Sequence, residues 1–312
     1  MQNINTHICN YLAHCKYEKN LNPKTLKAYK IDLQQFASFA EKANYAYSKE
    51  ILQSYIVHLQ SNYKIKSVKR KIASLKAFFT YLEYEEILEV SPFSKIRVKL
   101  HEPFLLPRTI PLAVVDALLS CAYRQKAADL VSSAKYCSDL RDIAVLELLF
   151  ATGMRVSELC SLRPEFVDLT EGTVKIYGKG SKERMIQIGN QDVLSAVKAY
   201  YGAFSNSIDA TGWFFVNRLG HQLSDQSVRF MIRKYTNLAG IDLHITPHMF
   251  RHAFATLLLE EDVDIRYIQQ LLGHSSIVTT QIYTHIASKK QRDSSALSPV
   301  PSPFAILRSQ WI

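Results

Sequence analysis

Residues 246–285 read TPHMFRHAFATLLLEEDVDIRYIQQLLGHSSIVTTQIYTH, and the fold of the chain is read outward from them. Thr246 before Pro247 predicts a helix start: the hydroxyl can cap orphan amides, and proline at the first helical position gives up an N–H that has no partner there. His248, Arg251 and His252 then stand at i, i+3 and i+4, on one helical face. Leu257, Leu258 and Leu259 carry the helix to an acidic break over residues 260–264. A second amphipathic segment through Ile265, Ile268, Leu271 and Leu272 stops at Gly273, which can take the left-handed conformation that closes a helix. His274 follows at once, Ser275 or Ser276 can cap another helix, and Tyr283 lies about two turns into it.

Taken singly, these residues have plainer readings. A histidine near a helix start is commonly capped or solvent-facing, and one tyrosine among 17 ordinarily packs in a core. His248 and His252 share the spacing of a zinc-binding helix, but the glutamate of that motif would fall at Met249, so no metal is expected. Joint spacing is what carries the reading. Arg251 lies 3 residues after His248, His274 lies 23 after Arg251, and Tyr283 lies 9 after His274.

Upstream, Ala151-Thr152-Gly153 breaks a strongly apolar segment (Ile143, Leu146, Leu149, Phe150) for which Asp139 is the expected cap. Met154-Arg155-Val156-Ser157-Glu158-Leu159 begins the next helix, with Glu158 spaced to hold Arg155. Residues 173–177 and 184–188 read as strands around the turn 178–183, GKGSKE, which carries Lys179 at its tip and Lys182 as the competing choice. The turn is not a Walker loop, because the spacing is wrong and no Ser or Thr follows the lysine.

His-x-x-Arg-His, then Leu-Gly-His-Ser-Ser with its later tyrosine, and the Thr-Gly-Met-Arg-x-Ser-Glu-Leu stretch at 152–159 resemble the tyrosine recombinase (phage integrase) family, nearest its Xer branch. The resemblance covers nearly the whole chain. It implies a mainly α fold with a small β-sheet: an N-terminal helical, SAM-like core-binding domain and a C-terminal mixed α+β catalytic domain. It also implies six catalytic residues, Arg155, Lys179, His248, Arg251, His274 and the nucleophile Tyr283, acting without cofactor or metal through a 3′-phosphotyrosyl intermediate and a Holliday junction. The implied partners are a double-stranded DNA recombination site and other protomers, as a tetramer on paired sites or with a related recombinase. Two other readings are a type IB topoisomerase-like strand cutter and a DNA-binding protein that has lost catalysis. The N-terminal bundle disfavours the first, and the presence of all six positions disfavours the second.

At 312 residues the chain has room for two domains. A hydrophobic content of 47% with 21% charged residues describes a globular chain, not a disordered one. No apolar run approaches the ~18 residues of a membrane span, and the first residues lack the basic and apolar regions of a secretory signal. A cytoplasmic protein with no membrane partner is therefore expected. The five cysteines are scattered, with no Cys-x-x-Cys pair, and read as reduced thiols. Net charge is +10, and it is uneven: residues 1–100 hold 16 Lys and Arg against 8 Asp and Glu, the remainder 22 against 20. That asymmetry points to a polyanion gripped chiefly by the first third.

Within that third, Asn22, Pro23 and Thr25 open a helix through Leu26, Tyr29, Leu33, Phe36 and Phe39. A second runs through Ile51, Tyr55, Ile56 and Leu59, and a third begins near Ser67 with Val68, Ile72, Leu75, Phe78, Phe79 and Leu82 inward. Lys66, Lys69, Arg70, Lys71 and Lys76 are expected on its other side, where phosphate contacts would position DNA without specifying sequence. The expected divisions are a core-binding domain over 1–98, a linker over 99–111 whose prolines favour extended chain, a catalytic domain over 112–290, and a tail over 291–312 that contacts another protomer. Residues 213–216 read as a further strand, and Ser224 as the cap of a helix closed by Gly240. The segment 121–138 is longer than the resemblance requires, which tilts expectation towards a mobile-element member.

Overall fold

A computed structural model of the chain describes residues 4–41, 47–100, 108–128, 134–178, 183–273 and 280. The chain divides into two compact units, Met1–Phe104 and Leu105–Ile312. Its described part is mainly helical with one small sheet, and no described helix is long and apolar enough to cross a membrane.

The first unit is a bundle of α1 (Ile4–Tyr17), α2 (Pro23–Glu41), α3 (Lys49–Asn62) and α4 (Ile65–Tyr84). Asn22 Oδ1 accepts the Lys24 N–H at 2.8 Å, and Ser48 Oγ accepts that of Ile51 at 3.3 Å, so side chains satisfy the open amides at two helix starts. Leu33, Phe36, Leu52, Leu75, Phe78 and Phe79 fill the interior. The sequence reading had three helices here; α1 is an addition, and it closes the core with Ile4, Ile8, Tyr11 and Cys15. After the bundle, Phe93 is buried in a 3-10 turn over Pro92–Lys95, and Ile96, Val98 and Leu100 lean on the same core.

Lys66, Lys69, Arg70 and Lys76 are exposed on α4, but Lys71 is not. Its ammonium reaches Asp32 Oδ1 at 3.1 Å and also bonds Gln35. Arg70 bonds the other Asp32 oxygen, as does Ser74 Oγ at 2.9 Å. Asp32 is only 1% exposed, and a carboxylate that deep requires paired charge. This requirement draws Lys71 inward, off the basic face where the sequence reading placed it.

In the second unit α5 (Leu112–Ala127) and α6 (Ala134–Thr152) precede a short α7 (Val156–Cys160). An antiparallel sheet follows in the order β1 (Val167–Asp168), β2 (Thr173–Tyr177), β3 (Glu183–Gln187), with Val174 opposite Ile186 and Ile176 opposite Arg184. Then come α8 (Gln191–Thr211), α9 (Asp225–Leu238), α10 (Pro247–Glu260) and α11 (Ile265–Leu272). Helix α6 is buried along most of its length and packs against α5, α8 and α10.

Three expectations are corrected here. Asp139 does not cap α6: the helix begins at Ala134, and Asp139 is buried inside it, accepting from Tyr235 Oη at 2.7 Å and Lys234 Nζ at 2.8 Å. Residues 213–216 form no extended strand, only an isolated antiparallel bridge from Val216 to Gln222. Phe214, Phe215 and Val216 are buried, and the Tyr200 hydroxyl of α8 donates to Phe214 O at 2.9 Å and accepts from the Val216 N–H at 3.0 Å. One phenol thus satisfies backbone groups that a neighbouring strand would otherwise serve. Finally, the segment 121–138 is not one long connection: most of it is helix, the end of α5 and the start of α6.

Candidate active site

The site is built where α6 ends. Thr152 turns its hydroxyl back to Leu148 O at 2.6 Å, and Gly153 takes φ +58°. A Cβ on Gly153 would lie 2.5 Å from Phe254 Cδ1, so both backbone angle and space demand glycine. The turn delivers Arg155 to the start of α7. There the Arg155 N–H donates to Glu158 Oε2 at 2.9 Å, and Nη1 donates to Glu158 Oε1 at 2.7 Å.

Helix α10 supplies the second guanidinium. Pro247 occupies its first turn as expected, but the Thr246 hydroxyl makes no capping bond; the Thr246 carbonyl takes the Met249 N–H at 2.9 Å instead. Arg251 is 4% exposed. It donates Nη1 to Gly153 O at 2.9 Å and Nη2 to Leu272 O, so one planar fork ties the α6–α7 turn to the end of α11. Arg155 Nη2 points to the next carbonyl, Gly273 O, at 3.4 Å. Gly273 closes α11 at φ +63°, and the two arginines therefore converge on the backbone that leads directly into His274. Lys179, His274 and Tyr283 lie outside the described residues, as do the turn and the tail that carry them.

His248 sits on the first turn of α10 with its ring in contact with solvent. Desolvation by the surrounding protein, then the charges of Arg251, Arg229 and Arg155, lower its pKa. The imidazole is thus held neutral at pH 7 and able to accept a proton. His252, one residue past Arg251, is lowered to about 4 by burial and by the charges of His248 and Arg251.

Two participants were underread in the sequence. Glu158, 7% exposed, would be raised by burial, but hydrogen bonds and charge from Arg184 and then Arg155 hold its carboxyl below the usual range. Arg184 of β3 is read from the sequence only as the start of a strand. It grips Glu158 with both forks, Nη2 to Oε2 at 2.6 Å and Nη1 to Oε1 at 3.2 Å. Its signal is parity: residues 184 and 186 share one side of the strand, and Ile186 is buried. A charge in such a row needs a partner.

The ensemble is a cationic, partly desolvated cluster able to hold an anionic oxygen group such as a phosphodiester. Among the described residues no group of three or more His, Cys, Asp or Glu side chains could hold a metal ion.

The phage integrase family model matches residues 122–290, and the model of the phage integrase N-terminal SAM-like domain matches residues 8–86. A tyrosine recombinase of Agathobacter rectalis is 53% identical over 296 residues, covering 94% of this chain and 96% of that one. The tyrosine recombinase XerC of Thermodesulfovibrio yellowstonii is 37% identical over 302 residues, covering 93% and 94%. Among solved structures, XerH site-specific recombinase bound to palindromic difH substrate, a post-cleavage complex, superposes with a TM-score of 0.73 at 21% identity over 91% of this chain and 82% of that one.

Proposed function

The chain belongs to the phage integrase family, and from that premise we infer that it is a site-specific tyrosine recombinase that cuts and rejoins double-stranded DNA. The observation that carries this reading is the convergence of Arg155 and Arg251 on the carbonyls of Leu272 and Gly273, one residue before His274. Two forked cations at that point can bind the non-bridging oxygens of a phosphodiester and stabilise the charge that grows there during attack. His274 adds a further donor.

Tyr283 is the nucleophile. Its phenol, of ordinary pKa ~10, gives up a proton to neutral His248 as its oxygen bonds to phosphorus, and the bond from phosphorus to the 5′ oxygen breaks. Lys179 protonates that departing oxygen. The 3′-phosphotyrosyl link conserves the phosphoester, so a second 5′ hydroxyl can reverse the step without ATP. Exchange between two duplexes needs protomers paired on both, hence a tetramer and a Holliday junction. Lys66, Lys69 and Lys76 of α4, with Arg70, whose half-exposed guanidinium is shared with Asp32, supply phosphate contacts; Lys71, buried against Asp32, does not. The working division is a core-binding unit over 1–98 and a catalytic unit over 112–290, acting in the cytoplasm, where the DNA is.

The test begins by selecting the site from a pool of randomised duplexes, then placing a nick beside the cut so that the released fragment diffuses away. Wild-type protein is expected to leave a detergent-resistant protein–DNA adduct, and Tyr283→Phe to bind equally without forming one. Tight binding with no adduct from wild type would favour the DNA-binding alternative, and an adduct from Tyr283→Phe would remove the proposed nucleophile.

A further inference from the structure

We propose that Arg184 of β3 is a positioning residue for the strand-cutting step: by occupying half of the Glu158 carboxylate, it keeps the Arg155 guanidinium directed at the end of α11, where the phosphate binds. This rests on the recombinase reading and extends it to a residue that touches neither DNA nor nucleophile.

A carboxylate offers about four acceptor sites, and all four on Glu158 are taken. Arg155 uses two, through its backbone N–H on Oε2 and Nη1 on Oε1. Arg184 uses the other two, through Nη2 on Oε2 and Nη1 on Oε1. Arg155 Nη2 is directed away from Glu158, to Gly273 O at 3.4 Å, a bond long enough to yield to a phosphate oxygen. The side chains of Glu158 and Arg184 are 6% and 8% exposed, against 33% for Arg155. Water is therefore poorly placed to fill any acceptor site that Arg184 vacates.

Without Arg184, the donor within reach of the vacated sites is the second arm of Arg155, and a bidentate Arg155–Glu158 pair would form. That pair is neutral and folded away from the phosphate. With Arg184 in place, two guanidiniums share one carboxylate and the group keeps a net positive charge. Arg184 also braces the far side of the site: a Cβ on Gly273 would lie 3.0 Å from Arg184 Nη1. One side chain on the strand that follows the Lys179 turn thus touches the holder of Arg155 and the residue preceding His274.

The experiment compares Arg184→Gln, Arg184→Lys, Glu158→Gln and the double variant Glu158→Gln/Arg184→Gln in the full chain. It reads binding to the selected duplex, thermal unfolding, and the single-turnover rate of adduct formation on the nicked duplex. Arg184→Gln is expected to bind within about threefold of wild type while adduct formation slows about ten- to hundredfold, the scale of a misplaced transition-state contact. The double variant is expected to be faster than Arg184→Gln alone, since a neutral amide at 158 no longer captures Arg155. A double variant equal to or slower than Arg184→Gln overturns the proposal, as do adduct rates that merely follow thermal stability across the variants, the pattern a structural ion pair gives, and an Arg184→Gln rate within about twofold of wild type. Should Arg184→Gln fail to fold, Arg184→Lys carries the claim: a point charge without the fork is expected to slow the step, and a wild-type rate refutes it. Absence of any adduct from wild type would strike the recombinase reading instead, so the two failures are distinguishable.

Discussion

Gly153→Ala tests the architecture of the site through a single methyl group. The substitution meets two penalties that can be separated. Holding an alanine at φ +58° costs about 1–2 kcal/mol. The added Cβ would stand 2.5 Å from Phe254 Cδ1, 3.0 Å from Phe254 Cγ and 3.2 Å from Leu272 Cδ2, and relieving such overpacking costs typically about 1–3 kcal/mol. The sum is about 2–5 kcal/mol, which in a unit of this size lowers the melting temperature by roughly 4–20 °C. Gly220 is the internal control, with φ +74° and nothing within 4 Å of its built Cβ; Gly220→Ala should lose only the backbone part, about 1–2 kcal/mol. In a Phe254→Ala background, the Gly153→Ala penalty should likewise fall towards the backbone part, which a double-mutant cycle measures. Urea denaturation of wild type and the four variants gives each number. Were Gly153→Ala no worse than Gly220→Ala, or its penalty unchanged without Phe254, the account of this turn as a close-packed platform for Arg251 would be wrong.

Two further outcomes are expected. Asp32→Ala should destabilise the first unit by about 3–5 kcal/mol, because it strands the buried Lys71 ammonium; adding Lys71→Met should recover most of that loss in denaturant titrations. His252, lowered to about 4 by burial and by the charges of His248 and Arg251, should shape acid stability. Its unfolded form binds a proton near pH ~6.5 and its folded form does not. Its contribution is therefore complete above about pH 6.5, is lost progressively as pH falls towards 4, and amounts to at most about 3 kcal/mol. His252→Gln should flatten that part of the stability–pH curve, and an unchanged slope would contradict the assignment.

Much of this was legible because local chemistry and tertiary demand agree. Pro247, Gly153 and Gly273 mark helix boundaries by backbone geometry alone, and they stand where the sequence puts them. The readings that failed are those in which a distant partner decides. Asp139 resembles a cap until Tyr235, 96 positions away, claims its carboxylate. Lys71 belongs to a basic row until the buried Asp32 draws it in, and residues 213–216 look like a full strand although only Val216 bridges, to Gln222, and Tyr200 serves the backbone of Phe214 and Val216. Helix α1 and helix α8 were legible but unread: Ile4, Ile8, Tyr11 and Cys15 recur at helical intervals, as do Val193, Val197, Tyr200 and Ile208. Glu158 was visible as a holder of Arg155, whereas its second partner came from a strand 26 residues on.

The dual use of Arg251 bears on how the site can be dissected. Its guanidinium is buried and bonded to carbonyls 98 and 21 residues away in sequence. Replacing it with alanine would leave those carbonyls unsatisfied, at about 1–3 kcal/mol for each buried group, besides removing a charge from the proposed phosphate site. Lost activity in that variant would therefore not distinguish chemistry from collapse of the turn. Lysine in its place keeps the charge but cannot span two carbonyls with one plane, so it separates the functions only in part. The informative substitutions are those that change what a held arginine faces without removing its hold. That is why the carboxylate shared by Arg155 and Arg184, and not Arg155 or Arg251 itself, is the place to ask how the cationic cluster is aimed.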